Sequence, residues 1–272
     1  MASLSGHLSV TIRVMEKGVP IRSLSRGIAV LQAVNRGNSL SMMEIARSSE
    51  VPYPTACRIV QTLLHEGLIE REPARKRYRP TALVQALAHG FQGDAQLVRA
   101  ARTHIVDLTR RVGWPISLST QVGHSMVIRD STHALTALTF SHYHPGFTLP
   151  ILECAAGHAY LANIGETERT ELFRAIKLLP KRVNMHVIDL MENGDLVEQI
   201  RGAGFATRGY NQFTRNPGKT SSIAVPILTR KGTVAGALTL AFFASATKMS
   251  DAVAQFVVPL KATAEAISGD LD

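Results

Sequence analysis

The sequence predicts an α+β protein in two unequal parts: a basic, mostly helical N-terminal segment closed by a β-hairpin, and a longer segment whose antiparallel strands are grouped apart from its helices. Three observations carry this. The apolar period is helical over residues 25–65, turns to alternation over 68–79, and later gives two groups of three strands separated by helical stretches. At 272 residues the chain is long enough for two domains with a core each. Two thirds of the formal net charge of +9 lies in the first 85 residues, where 12 Lys+Arg face 6 Asp+Glu. A basic part joined to a nearly neutral one predicts that the first meets a polyanion and the second does something else.

With 45% hydrophobic and 19% charged residues, composition excludes a disordered or low-complexity chain. The most apolar stretch, 232–246, is too short to cross a bilayer and is interrupted by Thr233, Thr239 and Ser245. No secretory leader is expected, because the early apolar run 10–14 contains Arg13, and the expected location is cytoplasmic with no membrane partner. Two cysteines far apart, Cys57 and Cys154, predict reduced thiols and neither a disulfide framework nor a cysteine-based metal site. Residues 1–20 are expected to form a flexible tail outside the fold.

From Ser25, the apolar residues Ile28, Leu31 and Val34 recur at spacings of three, predicting a first helix that stops at Arg36-Gly37-Asn38. Ser41-Met42-Met43-Glu44 is a capping box, in which hydroxyl and carboxylate each satisfy a free N–H at the start of a second helix. After a turn at Ser48-Ser49-Glu50-Val51, Pro52 and Pro54 suit the start of a third helix, where no donor is needed. That helix runs to His65 and ends at Gly67. Ala56, Ile59, Val60 and Leu63 share its inward face, while Pro54, Arg58, Gln61 and His65 point away. Two short helices joined by a tight turn, the second exposing polar side chains, fit a major groove about 12 Å wide.

Next, Leu68-Ile69-Glu70-Arg71-Glu72 and Arg77-Tyr78-Arg79 alternate like strands around Pro73-Ala74-Arg75-Lys76, which makes a wing. Arg75, Lys76 and Arg77 at its tip are placed to reach phosphates without burying charge. The segment over residues 21–80 is thus expected to be a winged helix-turn-helix bound to double-stranded operator DNA. Its candidate contacts are Arg26, Ser41, Tyr53, Pro54, Thr55, Arg58, Gln61, Arg75, Lys76 and Arg77.

Residues 81–93, with Leu83, Val84 and Leu87 on one stripe, predict a linking helix, and Asp94 a cap for the next, whose Leu97, Ala101, Ile105 and Leu108 repeat helically. Strands are expected at 116–122, 125–130 and 135–141, then three helices between about 155 and 203. Strands follow at 205–210, 221–228 and 233–243, and a final helix capped by Ser250. Strands grouped in this order predict an antiparallel sheet with helices laid on it.

Glu153-Cys154-Ala155-Ala156-Gly157 combines a loop entering a helix with side chains too small to block its first turn, where N–H groups and the helix dipole would receive a carboxylate. The alternative is that small residues simply let the helix pack tightly on the sheet. Arg129 is a candidate cation for the same anion, and Tyr210 and Ser222 are candidate hydrogen-bonding groups.

No reaction can be assigned. Gly202-Ala203-Gly204 and Gly209 follow a helix and precede a strand, the reverse of a dinucleotide fingerprint. His142, His144, Cys154 and His158 match no strong metal spacing. Without a nucleophile elbow, P-loop or paired carboxylates, no catalytic residue and no cofactor are expected. The competing readings are a small-molecule enzyme with an appended basic nucleic-acid-binding domain and a nonspecific architectural DNA binder.

Ile21-Arg22-Ser23-Leu24-Ser25-Arg26-Gly27, Met43-Glu44-Ile45-Ala46-Arg47, Glu66-Gly67-Leu68-Ile69-Glu70-Arg71 and Arg77-Tyr78-Arg79 resemble the N-terminal domain of IclR-type transcriptional regulators. Ala155-Ala156-Gly157-His158-Ala159-Tyr160-Leu161-Ala162 and Ser222-Ile223-Ala224-Val225-Pro226-Ile227 look like that family's small-residue helix start and late central strand, so the likeness covers about 21–267. The resemblance implies a GAF-like effector-binding domain over 94–272 and a linker helix that helps pair two chains into a homodimer or a dimer of dimers. Trp114-Pro115, Val127-Ile128-Arg129-Asp130-Ser131-Thr132-His133 and Ala244-Ser245-Ala246 are similar to the branch that activates hydroxyphenylpropionate catabolism. The implied effector is a small, aromatic carboxylate controlling catabolic genes. Tyr53-Pro54-Thr55-Ala56-Cys57-Arg58 departs from that branch, where the third helix starts with more hydrophilic residues.

Overall fold

The computed structural model describes residues 20–37, 39–87, 94–138, 143–179, 183–209 and 219–271. In the first part, α1 (Arg22–Gly37), α2 (Met42–Ser49) and α3 (Tyr53–His65) close around Val30, Val34, Ile45, Ala56, Val60 and Leu63. The inward face of α1 is Val30, Ala33 and Val34, not the expected stripe through Ile28, which is 49% exposed. Both stripes have helical spacing, and only the packing of α2 and α3 selects one.

The capping box forms as expected. Ser41 N–H donates to Glu44 Oε2 at 2.7 Å, and Glu44 N–H donates to Ser41 Oγ at 3.4 Å. Pro52 precedes α3, which ends before Gly67 at φ +70, a left-handed turn that glycine adopts without strain. The wing strands β2 (Ile69–Arg71) and β3 (Arg77–Pro80) gain a partner that the sequence did not signal. The two-residue β1 (Leu40–Ser41) pairs with β3, Leu40 opposite Tyr78 and Ser41 opposite Arg77, and so anchors the start of α2 on the wing. Of the expected linker helix, α4 (Leu83–Ala86) is present, and residues 88–93 lie outside the described residues.

The second part opens with α5 (Ala95–Val112), whose Leu97, Ala101, Ile105 and Leu108 are all buried. Six antiparallel strands follow: β4 (Ile116–Val122), β5 (Ser125–Ser131), β6 (Thr148–Pro150), β7 (Ala206–Arg208), β8 (Thr220–Leu228) and β9 (Val234–Phe243). Their order in the sheet is β6-β5-β4-β9-β8-β7. Of the expected strand at 135–141, the described residues 135–138 form no strand. His133–Leu135 is a 3₁₀ turn, Thr136 Oγ1 donates to Gly113 O at 2.6 Å, and β6 takes the sheet edge instead; residues 139–142 lie outside the described residues.

Four helices, not three, occupy the middle: α6 (Ala155–Asn163), α7 (Glu166–Lys177), α8 (Met185–Glu192) and α9 (Asp195–Ala203). Gly194, at φ +89, separates the last two. In α10 (Met249–Asp270) the cap position is Lys248, and Ser250 bonds Asp251 within the first turn rather than capping the helix. Among the described residues no helix is long and apolar enough to cross a membrane.

Helices cover both faces of the sheet. Alternation sends Ile116, Leu118, Ile223, Val225, Leu238, Leu240 and Phe242 into a core with α5 and α10. The opposite parity on β4, β8 and β9 is almost entirely small: Ser117, Ser119, Ser222, Ala224, Ala237, Thr239 and Ala241. Against this face lies α6, itself built of buried Ala155, Ala156, Gly157 and Ala159. A Cβ on Gly157 would stand 1.8 Å from Ile151 O, so the 3₁₀ turn Ile151–Glu153 folds back on the first turn of α6 at a distance that only glycine permits. Helix propensity alone favours alanine over glycine by about 1 kcal/mol. Gly157→Ala is nonetheless expected to lower stability by about 1–3 kcal/mol in urea unfolding, because a backbone carbonyl cannot yield as a side chain can.

Candidate DNA-binding and effector sites

On α3, Tyr53, Pro54, Arg58, Gln61 and His65 are exposed along one side, with Thr55 half-buried beside them. Arg26 lies half-buried on α1. Arg75 and Lys76 are exposed at the tip of the wing. Arg77 departs from the expected role. Its Nη2 sits 2.9 Å from Glu44 Oε2 and donates to Ser39 O at 2.8 Å, while Nε donates to Ser39 Oγ at 3.1 Å. Its charge thus straps the wing to α2 instead of standing free at the tip. Ser41 is likewise committed, since both its N–H and its hydroxyl bond the Glu44 carboxylate.

These contacts hold the Glu44 carboxyl below its ordinary value, first through the Ser41 N–H, then its hydroxyl, then the charge of Arg77. A folded-state value below the unfolded one gives stability above the ordinary carboxylate range that is lost as pH falls through the folded value. Glu44→Gln is expected to flatten the acid-side decline of melting temperature.

In the second domain Cys154 is the N-cap of α6, and its Sγ accepts the Gly157 N–H at 3.3 Å. That donor is therefore engaged. Helix geometry leaves the N–H groups of Ala155 and Ala156 without an intrahelical acceptor. Glu153 is buried in the 3₁₀ turn Ile151–Glu153 just ahead. Ser222 faces the helix from β8, with Arg208 opposite it on β7 and Ala241 opposite it on β9.

Arg129 is not part of this arrangement. Alternation places it with Val127 on the α5 side, and its Nε lies 2.6 Å from Asp94 Oδ2 and 2.7 Å from Thr120 Oγ1. Asp94 correspondingly makes no side-chain cap bond to α5. A β-bulge, at which the register passes from Ile128 to Asp130, also turns Asp130 to that side, where it pairs with Arg102 at 2.9 Å. Tyr210 lies outside the described residues.

The cation that does face α6 is Arg208, which was not among the expected site residues. It is 6% exposed and donates through Nη2 to Thr220 O at 3.1 Å and to Thr220 Oγ1 at 3.3 Å. In the strand Ala206-Thr207-Arg208 the arginine shares the parity of Ala206, whose burial the structure shows and the sequence did not signal. Around it, burial pushes the Cys154 thiol up to about 12 and raises the Tyr143 phenol, so both are neutral at physiological pH. Burial lowers the His158 imidazole, whose Nε2 meets Leu152 O at 2.8 Å.

Among the described residues no group of three or more His, Cys, Asp or Glu is arranged to hold a metal ion; His142 lies outside them. Gly204, at φ +72, ends α9 ahead of β7, as the reversed glycine order implied.

A groove-sized helix with a cationic wing, followed by a curled antiparallel sheet with helices on both sides, is the build of two-domain transcriptional regulators. The chain belongs to the IclR family. It matches the IclR helix-turn-helix domain over residues 23–73 and the bacterial transcriptional regulator IclR C-terminal domain over 91–269.

It is 23% identical over 176 residues to the HTH-type transcriptional regulator TsaQ1/TsaQ2 of Comamonas testosteroni, a stretch covering 64% of this chain and 63% of that one. The chain thus spans less than two thirds of that relative's length. With the HTH-type transcriptional regulator BhcR of Paracoccus denitrificans it shares 26% identity over 236 residues, 85% of this chain and 80% of that one. The crystal structure of Thermotoga maritima IclR matches with a TM-score of 0.61 at 22% identity, covering 93% of this chain and 99% of that one. An IclR homolog from Microbacterium hydrocarbonoxydans, complexed with 4-hydroxybenzoate, matches with a TM-score of 0.62 at 23% identity, covering 92% and 98%. The matched families and relatives are transcriptional regulators rather than enzymes.

The two kinds of wing cation separate by experiment. Changing Arg75 and Lys76 together to alanine is expected to weaken binding to any DNA and to lower the slope of log K against log salt by about 0.9 for each phosphate no longer neutralised. Arg77→Ala is expected to leave that slope unchanged in fluorescence-anisotropy titrations at several salt concentrations.

Proposed function

We propose that the protein is a ligand-responsive transcriptional regulator that binds operator DNA through residues 21–80 and senses a small carboxylate, best an aromatic one, through residues 94–272, thereby controlling catabolic genes. The observation that carries the reading is the joining of an exposed α3 face, with Arg58 and Gln61 outward, to a domain in which a buried helix start faces a buried cation. Tyr53, Pro54, Thr55, Arg58 and Gln61 read bases or neighbouring phosphates, Arg75 and Lys76 hold the backbone, and Arg26 assists from α1. At the effector site Ala155 and Ala156 supply N–H groups, with Ser222, Glu153 and Cys154 on the walls. The 4-hydroxybenzoate held by the Microbacterium homolog supports an aromatic acid as the first probe, with hydroxylated phenylpropionates next.

Residues 81–93 link the domains, and the working unit is a homodimer or a dimer of dimers in the cytoplasm. Ile21, Leu24 and Ile28 support pairing: they form an outward apolar stripe, 67%, 60% and 49% exposed, and Leu83 and Leu87 at the linker are exposed as well.

Arg58→Ala is expected to leave the unfolding midpoint unchanged and to weaken operator binding by about 1–3 kcal/mol, the worth of a bidentate base contact. Footprinting on the DNA upstream of the gene defines the operator, and anisotropy with and without 4-hydroxybenzoate tests the response. Equal affinity for operator and random DNA, at every salt concentration and with every acid, would refute the regulator reading.

A further inference from the structure

Arg208 is a buried cation that makes no ion pair among the described residues. Within that set its bonds run from Nη2 to the carbonyl and hydroxyl of Thr220, and its Nε is buried without a partner. The guanidinium is close enough to the start of α6 for its charge to draw down the Cys154 thiol, the Tyr143 phenol and the His158 imidazole. None of these three supplies an anion at neutral pH, because burial keeps the thiol and the phenol protonated. The carboxylate in the neighbourhood is Glu153, buried in the turn ahead of α6, whose charge acts on the same thiol and imidazole with the opposite sign; among the described residues no ion pair joins it to Arg208. The helix start itself carries partial positive charge from its dipole and its first-turn N–H groups. The unpartnered Nε–H of Arg208 and the first-turn N–H groups are buried donors that one small anion can satisfy together.

We infer that Arg208 is the residue that receives the effector's carboxylate and so decides which effectors are accepted, an inference that rests on the effector reading above. The unpartnered Nε–H of Arg208 is a charged donor for one oxygen of a carboxylate, while Nη2 stays on Thr220. The N–H groups of Ala155 and Ala156 complete the cradle, and Ser222, opposite Arg208 in the sheet register, lies beside it. A site built this way takes acids and rejects their amides and esters, whatever the rest of the molecule looks like. Its selectivity comes from the charge at one end, while the small residues of β8, β9 and α6 set the room for the rest.

Calorimetry on the full-length protein with 4-hydroxybenzoate, 4-hydroxybenzamide, acetate and inorganic phosphate tests this without any variant. The wild type is expected to bind the benzoate at least about thirtyfold more tightly than the amide, the scale of losing one partner of a buried hydrogen-bonded charge pair. Arg208→Met is expected to lose benzoate binding by at least the same factor, and Arg208→Lys to recover part of it. Circular dichroism and cooperative melting check that both variants fold, and the Met variant is expected to melt no lower than wild type, since it removes a buried charge.

Equal binding of benzoate and benzamide by the wild type overturns the inference, as does undiminished benzoate binding by a folded Arg208→Met protein. Undiminished benzoate binding by the Met variant leaves the carboxylate-sensing reading standing with another partner for the acid, whereas equal binding of the amide overturns that reading too and leaves only an aromatic ligand. If acetate or phosphate binds in an Arg208-dependent way and no aromatic acid does, the role of Arg208 stands and the aromatic reading falls. If no anion binds the wild type, both fall.

Discussion

The second domain depends on how closely α6 lies on its sheet. Large residues fill the opposite face, where Ile, Leu, Val and Phe side chains pack against α5 and α10. On the α6 face serines, alanines and a threonine meet the alanines of the helix, and Gly157 lets the 3₁₀ turn ahead of the helix close against its first turn. This has a chemical consequence. A helix held that close cannot tilt its first turn away, and its positive end stays fixed against β7 and β8, where Arg208 and Ser222 emerge. Tight packing and anion capture, set against each other as alternatives for the small-residue run, are compatible: Gly157 serves the packing of the preceding turn, and the proposed capture needs only the N–H groups of Ala155 and Ala156.

In the first domain, hydrogen bonding to one carboxylate plays the organising part. Glu44 closes the capping box of α2, accepts the Ser41 hydroxyl and pairs with Arg77 on the wing. Helix and wing are thereby linked through a single side chain, and β1 adds a short ladder along the same line. A cation in the wing thus fixes its geometry, which leaves Arg75 and Lys76 as the two that can follow a phosphate backbone.

Most of the helices were legible because their signals are local: the capping box at Ser41-Glu44, the prolines at the start of α3, the apolar repeat through Leu97, Ala101, Ile105 and Leu108. Strand pairs joined by tight turns, as at Gly123, were legible for the same reason. What escaped depends on distant residues. The two-residue β1 exists only because β3 folds back on it. The stretch 135–141 alternates like a strand, yet β6, further along the chain, pairs with β5 at the edge. Arg129 and Arg208 mark the limit for the site. Both are arginines on strands, and whether each faces α6 or α5 is settled by which neighbouring positions are buried, a fact that residue types alone do not contain.

A buried arginine that makes no ion pair among the described residues also bears on regulation. An effector alters DNA affinity only if it binds one arrangement of the protein better than another, and the coupling cannot exceed that difference. A site that is neutral when empty offers little to distinguish two arrangements, since filling it changes only local contacts. An arrangement that keeps Nε of Arg208 buried and unpartnered leaves a donor unsatisfied when the site is empty. Under the proposal a bound carboxylate would satisfy that donor, and this gain is the free-energy difference on which a response at the operator would draw.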